Sequence, residues 1–254
     1  MKKNIVNSIV SKLKLLFICL LVLTLLPISA YATLVDLGAA ADFAVLGGSG
    51  GVTNTGSSVI NNGNVGSSPL STVDGFPPGV VHNGILYTAA SSVTDNAHTA
   101  LNTAYGVLAG ITVYTDYTAT PTLGGRTLTA GVYHFDVAAD LTGTLILSGP
   151  GDFVFQIGSA LTTATDSSVI ASSGANVYWT LGTSATLGTG TAFIGNILAL
   201  ASITLNTGAT IESGRALADV KVTLDTNTIT VPEPATLCLL GFGVLSLVRR
   251  KKSA

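Results

Sequence analysis

The sequence predicts a mainly β protein folded as a β-solenoid, in which short strands and glycine turns coil around one core. Thr-Leu pairs recur at residues 186–187, 204–205 and 223–224, at steps of 18 and 19 residues. Gly195 and Gly214 repeat at the same spacing. A period near 20 made of β-type runs is typical of stacked coils, each of which buries its apolar face against its neighbours.

The first coils are predicted over residues 34–69, which contain the short apolar strand Phe43–Leu46. The segment TGSSVINNGNVG that begins at Thr55 resembles the late coil that begins at Thr207. We therefore expect the N-terminal and C-terminal parts to build one stack. Prolines and glycines between residues 70 and 90 indicate an irregular connection.

One helix is predicted at about residues 93–109. Ser92 or Thr94 can cap its N-terminus and Gly110 suits its C-terminus. Its apolar residues follow helical spacing and should form one stripe. The stripe consists of Val93, Ala97, Leu101, Ala104 and Leu108. Because only one side of the helix is apolar, we expect the helix to lie along the solenoid and cover apolar surface.

After the helix, β patterning continues to Thr230. Trp179, Ile197 and Ala216 each lie eight residues before a leucine of the repeat. Equivalent positions in successive coils stack, so we expect these large and small residues to fill the interior together.

The first 32 residues are expected to be a secretory signal peptide. Lysines precede an apolar run from Leu15 to Leu26, and Ala30-Tyr31-Ala32 supplies a small-x-small cleavage site. An N-terminal membrane anchor is the alternative, although the run is short for a span.

Residues 231–254 carry a second signal at the other end of the chain. The triplet Pro232-Glu233-Pro234 precedes a predicted short transmembrane helix at 235–248, and Arg249 and Arg250 follow it. This order resembles the PEP-CTERM sorting signal. The resemblance implies recognition by an exosortase-type processing enzyme and cleavage near the triplet. The chain would then be only transiently anchored in the membrane by this helix. A simple tail anchor is the alternative.

Between the two signals, residues 33–230 form one predicted domain with few charges. It contains eleven Asp and one Glu but only two Arg and one Lys, so its net charge is near −9. This composition argues against nucleic-acid binding, which needs clustered basic residues. Both cysteines, Cys19 and Cys238, lie in the end segments, so the domain is expected to fold without disulfides.

No catalytic set stands out in the domain, and we predict a non-enzymatic protein without metal or cofactor. The three histidines lie far apart in sequence and lack metal-ligand spacing. No nucleophile motif occurs in a suitable context. Arg215 and Asp219 are interpreted as a surface ion pair rather than as part of a glycan-cleaving site.

Threonine begins four similar coil segments, at Thr55, Thr165, Thr189 and Thr207. The fifth residue of each segment is apolar and should point inward, so the fourth should point outward. The predicted face consists of Thr55, Ser58, Thr165, Ser168, Thr189, Ala192, Thr207 and Thr210. Methyls and hydroxyls on a flat face can hold an ordered water layer. Threonine ladders can equally stabilise a solenoid without binding anything.

Several short motifs occur in a fixed order along the chain: Leu37–Leu46, Thr53–Gly56, Asn64–Gly66, Leu128–Tyr133, Phe155–Ile157, Ala185–Gly190, Phe193–Ala199 and Gly214–Ala218. In content and order they resemble the microbial ice-binding (antifreeze) protein family. The resemblance implies a discontinuous right-handed β-solenoid of triangular cross-section with one long α-helix packed alongside. It also implies adsorption to ice through one flat β face. Some members carry a Thr-Ala/Gly-x-Thr/Asn motif there, which Thr207–Thr210 matches.

The leading hypothesis is therefore a secreted ice-binding protein, whose partner is the ice crystal surface and which inhibits ice growth or recrystallisation. The alternative is a structural or adhesive protein of the cell envelope or extracellular matrix on the same scaffold, with extracellular polysaccharide as a partner. The sorting signal motivates this alternative. A polysaccharide-active enzyme is the third hypothesis. Each would be secreted through the inner membrane to the envelope or the exterior.

Overall fold

The computed structural model describes residues 35–70, 72–89 and 91–232. The predicted signal peptide at 1–32 and the predicted apolar helix at 235–248 lie outside these residues. So do Glu233, Pro234, Arg249 and Arg250 of the predicted sorting signal. Within the described residues, no helix is both long enough and apolar enough to cross a membrane.

The described chain forms a solenoid of parallel strands on three faces, with one α-helix alongside, as the sequence predicts. We call the faces the helix face, the threonine face and the third face. Two strands, β17 (Ala192–Ala199) and β19 (Thr210–Ala218), bend around a corner. The first half of each belongs to the third face and the second half to the helix face.

Strands of successive coils pair in register on each face. The helix face also contains β1 (Phe43–Gly47), β4 (Asn64–Ser67), β7 (Thr115–Asp116), β9 (Gly131–Phe135), β12 (Gly151–Ile157) and β15 (Ala175–Leu181). The threonine face contains β2 (Gly51–Asn54), β5 (Val73–Asp74), β10 (Ala139–Leu141), β13 (Leu161–Thr163), β16 (Ala185–Leu187), β18 (Ser202–Leu205) and β20 (Lys221–Leu224). The third face also contains β3 (Val59–Asn61), β6 (Val80–His82), β8 (Thr127–Leu128), β11 (Thr144–Leu147), β14 (Ser168–Ala171) and β21 (Thr228–Thr230).

The first coil of the chain stacks directly on the last. Strand β1 pairs with β19, β2 pairs with β20, and β3 pairs with β21. The expectation that both ends build one stack is therefore confirmed. The solenoid is discontinuous, because its coil order in space differs from its order in the sequence.

A column of stacked aromatic rings fills part of the solenoid interior. The rings of Phe155 and Trp179 stack with their centroids 3.9 Å apart, and Tyr133 continues the column on the other side of Phe155. Trp179 pairs with Ile197, and Ile197 pairs with Ala216, which confirms their predicted equivalence. Large residues in one coil are thus compensated by small ones further along.

The helix α1 (Ser92–Ala109) packs on the helix face. Ser91 caps its N-terminus and Gly110 its C-terminus. Thr94, not Val93, is the first residue of the buried stripe, and Val93 is 41% exposed. Thr94 belongs to the capping box with Ser91, which turns it toward the solenoid.

Candidate functional site

Five threonines form an in-register ladder along the threonine face. Thr162 pairs with Thr186, Thr186 with Thr204, and Thr204 with Thr223. Thr53 of the first coil then pairs with Thr223 and extends the ladder. Their strand neighbours point inward and are buried, so the threonines point outward. The spacing between rungs is that of neighbouring strands, about 4.8 Å.

The ladder hydroxyls make no hydrogen bond to any other described residue. Thr162 is exposed, whereas the other four are half-buried by one another. Their donors and acceptors are therefore available to solvent. Because every backbone group of the ladder is fixed by parallel strand pairing, the hydroxyls keep their spacing without further support.

Charge is confined to the edges of the threonine face. Asp140 pairs with Thr162 at one end of the ladder, and Asp74 pairs with Thr53 at the other. Lys221 lies two residues before Thr223, in register with Ser202. The centre of the face is uncharged.

A second rank, the corner rank, runs beside the ladder where the threonine face meets the third face. It comprises the predicted residues Thr55, Thr165, Thr189 and Thr207, which are all exposed. Successive turns are stacked by backbone bonds, such as Asp166 N to Thr189 O at 2.9 Å and Gly190 N to Thr207 O at 3.1 Å.

In the next coil, the residue that occupies the turn position equivalent to Thr207 is Asp225 and not Thr226. Gly208 N donates to Asp225 O, and Thr226 adopts a positive φ of 56°, as Gly208 does in its own turn with a φ of 73°. The turn before β21 is one residue shorter than the turn before β19, which shifts the alignment. Asp225 accepts a hydrogen bond from the Thr207 hydroxyl.

The prediction that Ser58 faces outward is wrong. Ser58 is fully buried; its hydroxyl donates to Asn54 Oδ1 at 2.6 Å and accepts from Asn227 N at 3.0 Å. The turn occupies residues 55–58, so strand alternation starts one residue later than expected. Val59 is consequently half-exposed and Ile60 points inward. Ser58 thus stabilises the corner from within.

Ser168, Ala192 and Thr210 lie past the corner, in register on the third face. The adjacent rank on this face is mixed, with exposed Ile170 and Glu212. Apart from the buried Ser58, the predicted residues therefore divide between the corner rank and the adjoining edge of the third face.

The threonine face itself is the part of the site that sequence reasoning missed. Its signal was present, because the Thr-Leu repeats contain Thr186, Thr204 and Thr223, each between two apolar residues. Thr53 and Thr162 each have one apolar neighbour, Val52 or Leu161, and one buried polar neighbour, Asn54 or Thr163, so the signal is weaker there. That pattern places a threonine outward in the middle of a strand.

The contacts of Arg215 and Asp219 differ from those predicted. Asp219 contacts His98 at 3.2 Å, so the predicted Arg215–Asp219 ion pair is wrong. Arg215 lies on β19, which ends at Ala218, whereas Asp219 lies beyond that end, where the chain turns. Across residues 35–70, 72–89 and 91–232, no three His, Cys, Asp or Glu side chains group closely enough to hold a metal ion.

His134 is held by acceptors on both ring nitrogens. Gln156 donates its amide to Leu108 O and Ile111 O, so its Oε1 accepts from His134 Nδ1 at 3.0 Å. Nε2 lies 2.8 Å from Asp136. Burial opposes the charged form, but hydrogen bonds to Asp136 and Gln156 and the nearby carboxylates outweigh it. The pKa of His134 is therefore raised above 6.5.

Residues 45–230 match the family described as ice-binding-like, and residues 230–252 match the PEP-CTERM protein-sorting motif. An ice-binding protein of Nostoc sp. (strain HG1) is 46% identical over 241 residues, covering 85% of this chain and 86% of the relative. The ice-binding protein of the Antarctic ascomycete Antarctomyces psychrotrophicus superposes with a TM-score of 0.71 at 39% identity, covering 78% of this chain and 98% of that one.

An ice-binding protein from an Antarctic biological consortium superposes with a TM-score of 0.73, also at 39% identity. That match covers 81% of this chain and 94% of the other. Sequence and fold agree over nearly the whole described domain. This chain therefore belongs to the ice-binding protein family.

Proposed function

We propose that this protein adsorbs to ice through the threonine face together with the corner rank, and so inhibits ice growth or recrystallisation. The observation that carries this proposal is the ladder of five in-register threonines whose hydroxyls bond to no other described residue. Family membership supports ice as the ligand.

The proposed mechanism is the ordering of water against a rigid, regular surface. Each hydroxyl can hold one water, and each methyl limits the disorder of the water beside it. A single contact between a threonine and an ordered water is weak, but the five rungs contribute together. The strands are rigid, so they lose little conformational freedom on binding. The corner rank of Thr55, Thr165, Thr189 and Thr207 would widen the ordered layer, except where Asp225 takes the place of a threonine between Thr207 and Thr55.

Ser168, Ala192 and Thr210 would be flanking residues in this proposal. The exposed Ile170 and the charged Glu212 beside them interrupt the regular pattern on the third face. A carboxylate holds water in its own hydration geometry, which competes with a lattice-like array.

Matched tyrosine substitutions on the two faces test the choice of surface. Thr204→Tyr places a large ring at the centre of the ladder and should abolish most thermal hysteresis. Thr210→Tyr places the same ring on the third face and should leave most of it. Both proteins should retain the unfolding temperature of the parent. Loss of activity in Thr210→Tyr alone would assign ice binding to the third face instead.

The sorting motif indicates export to the cell envelope or the exterior. We propose that an exosortase-type enzyme processes the chain near Pro232–Pro234, and that the mature protein acts outside the cell without catalysing a reaction. The same motif also suits a structural or adhesive envelope protein. Partition of the purified protein into growing ice, measured beside binding to extracellular polysaccharide, separates the two functions. Exclusion from ice combined with polysaccharide binding would favour the envelope role.

A further inference from the structure

A groove of about 450 Å³ opens on the helix face beside the corner with the third face. Arg215 of β19 lies in it, in register with Asn196 of β17 and close to Tyr178 of β15. The groove is also lined by Asp36 and, where the described chain ends, by Pro232. It lies apart from the threonine face and the corner rank.

Only part of the hydrogen-bonding capacity of Arg215 is used. Nε and Nη2 both donate to Ala41 O, at 3.0 and 2.8 Å, and Nη1 donates to Asn196 Oδ1 at 2.8 Å. A guanidinium has five N–H groups, so two donate to no described residue and are available to a ligand. Tyr178 adds a hydroxyl that has no hydrogen-bond partner among the described residues.

The positive charge of Arg215 is largely buried and incompletely compensated. No carboxylate of the described residues forms an ion pair with it. The pKa of Arg215 is lowered, chiefly because burial removes water from the guanidinium, while Tyr178 and Asp42 act in the opposite direction. A buried charge of this kind is stabilised by a hydrogen-bonded counter-charge.

We propose that this groove binds a carboxylate group, which accepts hydrogen bonds from the two spare N–H groups of Arg215. An arginine fork matches the two oxygens of a carboxylate in geometry and charge. Two sources can supply the group. One is Glu233, which follows Pro232 in the sequence and is the acidic residue of the sorting motif. The other is a free carboxylate, for which acetate is the probe.

Carboxyl NMR of the full-length chain in detergent micelles tests the first source. Glu212 and Glu233 are the only glutamates in the chain, so labelling glutamate with 13C gives two carboxyl signals. If Glu233 binds Arg215, its pKa should lie about 1–3 below the value measured in Arg215→Gln. Arg126→Gln is the matched control, because Arg126 already donates to Thr120 O and Thr122 O and should not affect Glu233.

The 15N signal of Arg215 Nε tests the second source. In Glu233→Gln, which changes no described residue, titration with acetate should shift this signal saturably if the groove accepts a free carboxylate. The same signal in the unsubstituted chain shows whether Glu233 already occupies the groove, so the test stands even if Arg215→Gln fails to fold. An unperturbed Glu233 together with no saturable response to acetate would overturn the proposal.

Discussion

At the scale of single residues, the position of a hydroxyl relative to the coil corner decides whether it bonds to protein or to solvent. The hydroxyls of Thr163 and Thr191 bond to each other at 2.7 Å inside the corner. Thr204, in the middle of a strand, points its hydroxyl to water. Residue type alone therefore does not identify the solvent-facing threonines, because the same side chain also builds the corner.

Phe155→Ala should destabilise the domain by about 3–5 kcal/mol, because it removes a fully buried ring from the aromatic column. Urea unfolding can be followed by the fluorescence of Trp179, the only tryptophan in the chain. Ile170→Ala is the control: Ile170 is 53% exposed, so the change should be within about 0.5 kcal/mol. Equal losses in both variants would contradict the proposed importance of the column.

His134 should make the stability depend on pH. Its folded pKa is raised above 6.5, so the protonated form stabilises the folded state. This contribution is complete below the unfolded pKa and is lost as pH rises through the folded pKa. The free energy of unfolding should therefore fall between slightly acidic and alkaline pH.

Urea unfolding of His134→Gln across the same pH range checks this expectation. The free energy of unfolding of this variant should not fall across the range. His82→Gln, at the exposed end of the third face, should show the same fall as the parent. A parent protein whose stability rises with pH in this window would show that the hydrogen bonds of His134 do not favour its charged form.

At the scale of elements, the bend of β17 and β19 around the corner depends on stacked glycines. A Cβ added to Gly214 would lie 1.9 Å from Gly195 O, so the neighbouring coils could not approach each other. Gly195 itself has a positive φ of 111°, which disfavours any other residue. The repeat of these glycines in the sequence thus reflects the corner geometry.

Gly214→Ala should destabilise the domain by more than about 4 kcal/mol, because the contact involves backbone atoms that cannot move aside. Gly106→Ala, on the exposed side of α1, meets no atom within 4 Å and should add about 0.5–1 kcal/mol. Thermal unfolding of the two variants should therefore shift in opposite directions. A mild effect of Gly214→Ala would mean that the coils can separate at this corner.

The repeat period and the polarity pattern of the sequence were sufficient to predict the helix and the solenoid strands, but not the length of each turn. The helix and the stacking of Trp179 on Ile197 followed from spacing alone. The outward orientation predicted for Ser58 was wrong, because its turn delays the start of the strand by one residue. Side chains alternate between the two sides of a strand, so an error of one residue reverses the predicted orientation. The threonine face was not predicted, because threonines beside the turns repeat in the sequence as clearly as those at the strand centres.

At the scale of the whole molecule, two carboxylates limit how far the uncharged surface extends over the β faces. Asp140 ends the ladder on one side, in register with Thr162. Glu212 occupies a strand position on the third face, in register with Thr230. Each carries one negative charge on an outward position of a β face.

Asp140→Thr should extend the ladder from five to seven threonines, because Thr122 pairs with position 140 on the other side, and should increase thermal hysteresis. Glu212→Thr removes the same charge and introduces the same residue on the third face, so it should change thermal hysteresis little. Measurement at equal protein concentration compares the two directly. A larger gain from Glu212→Thr would identify the third face as the ice-contacting surface.

The pairing of the first coil with the last also determines when the domain can close. Ser58 receives its bond from Asn227, a residue synthesised 169 positions later. Until that late segment exists, the first coil has no neighbour on one side and its apolar edge stays uncovered. The domain therefore cannot complete its fold until nearly all of it has been synthesised. The core is complete only once Val231 has been synthesised, because Val231 is buried in it immediately before the sorting triplet.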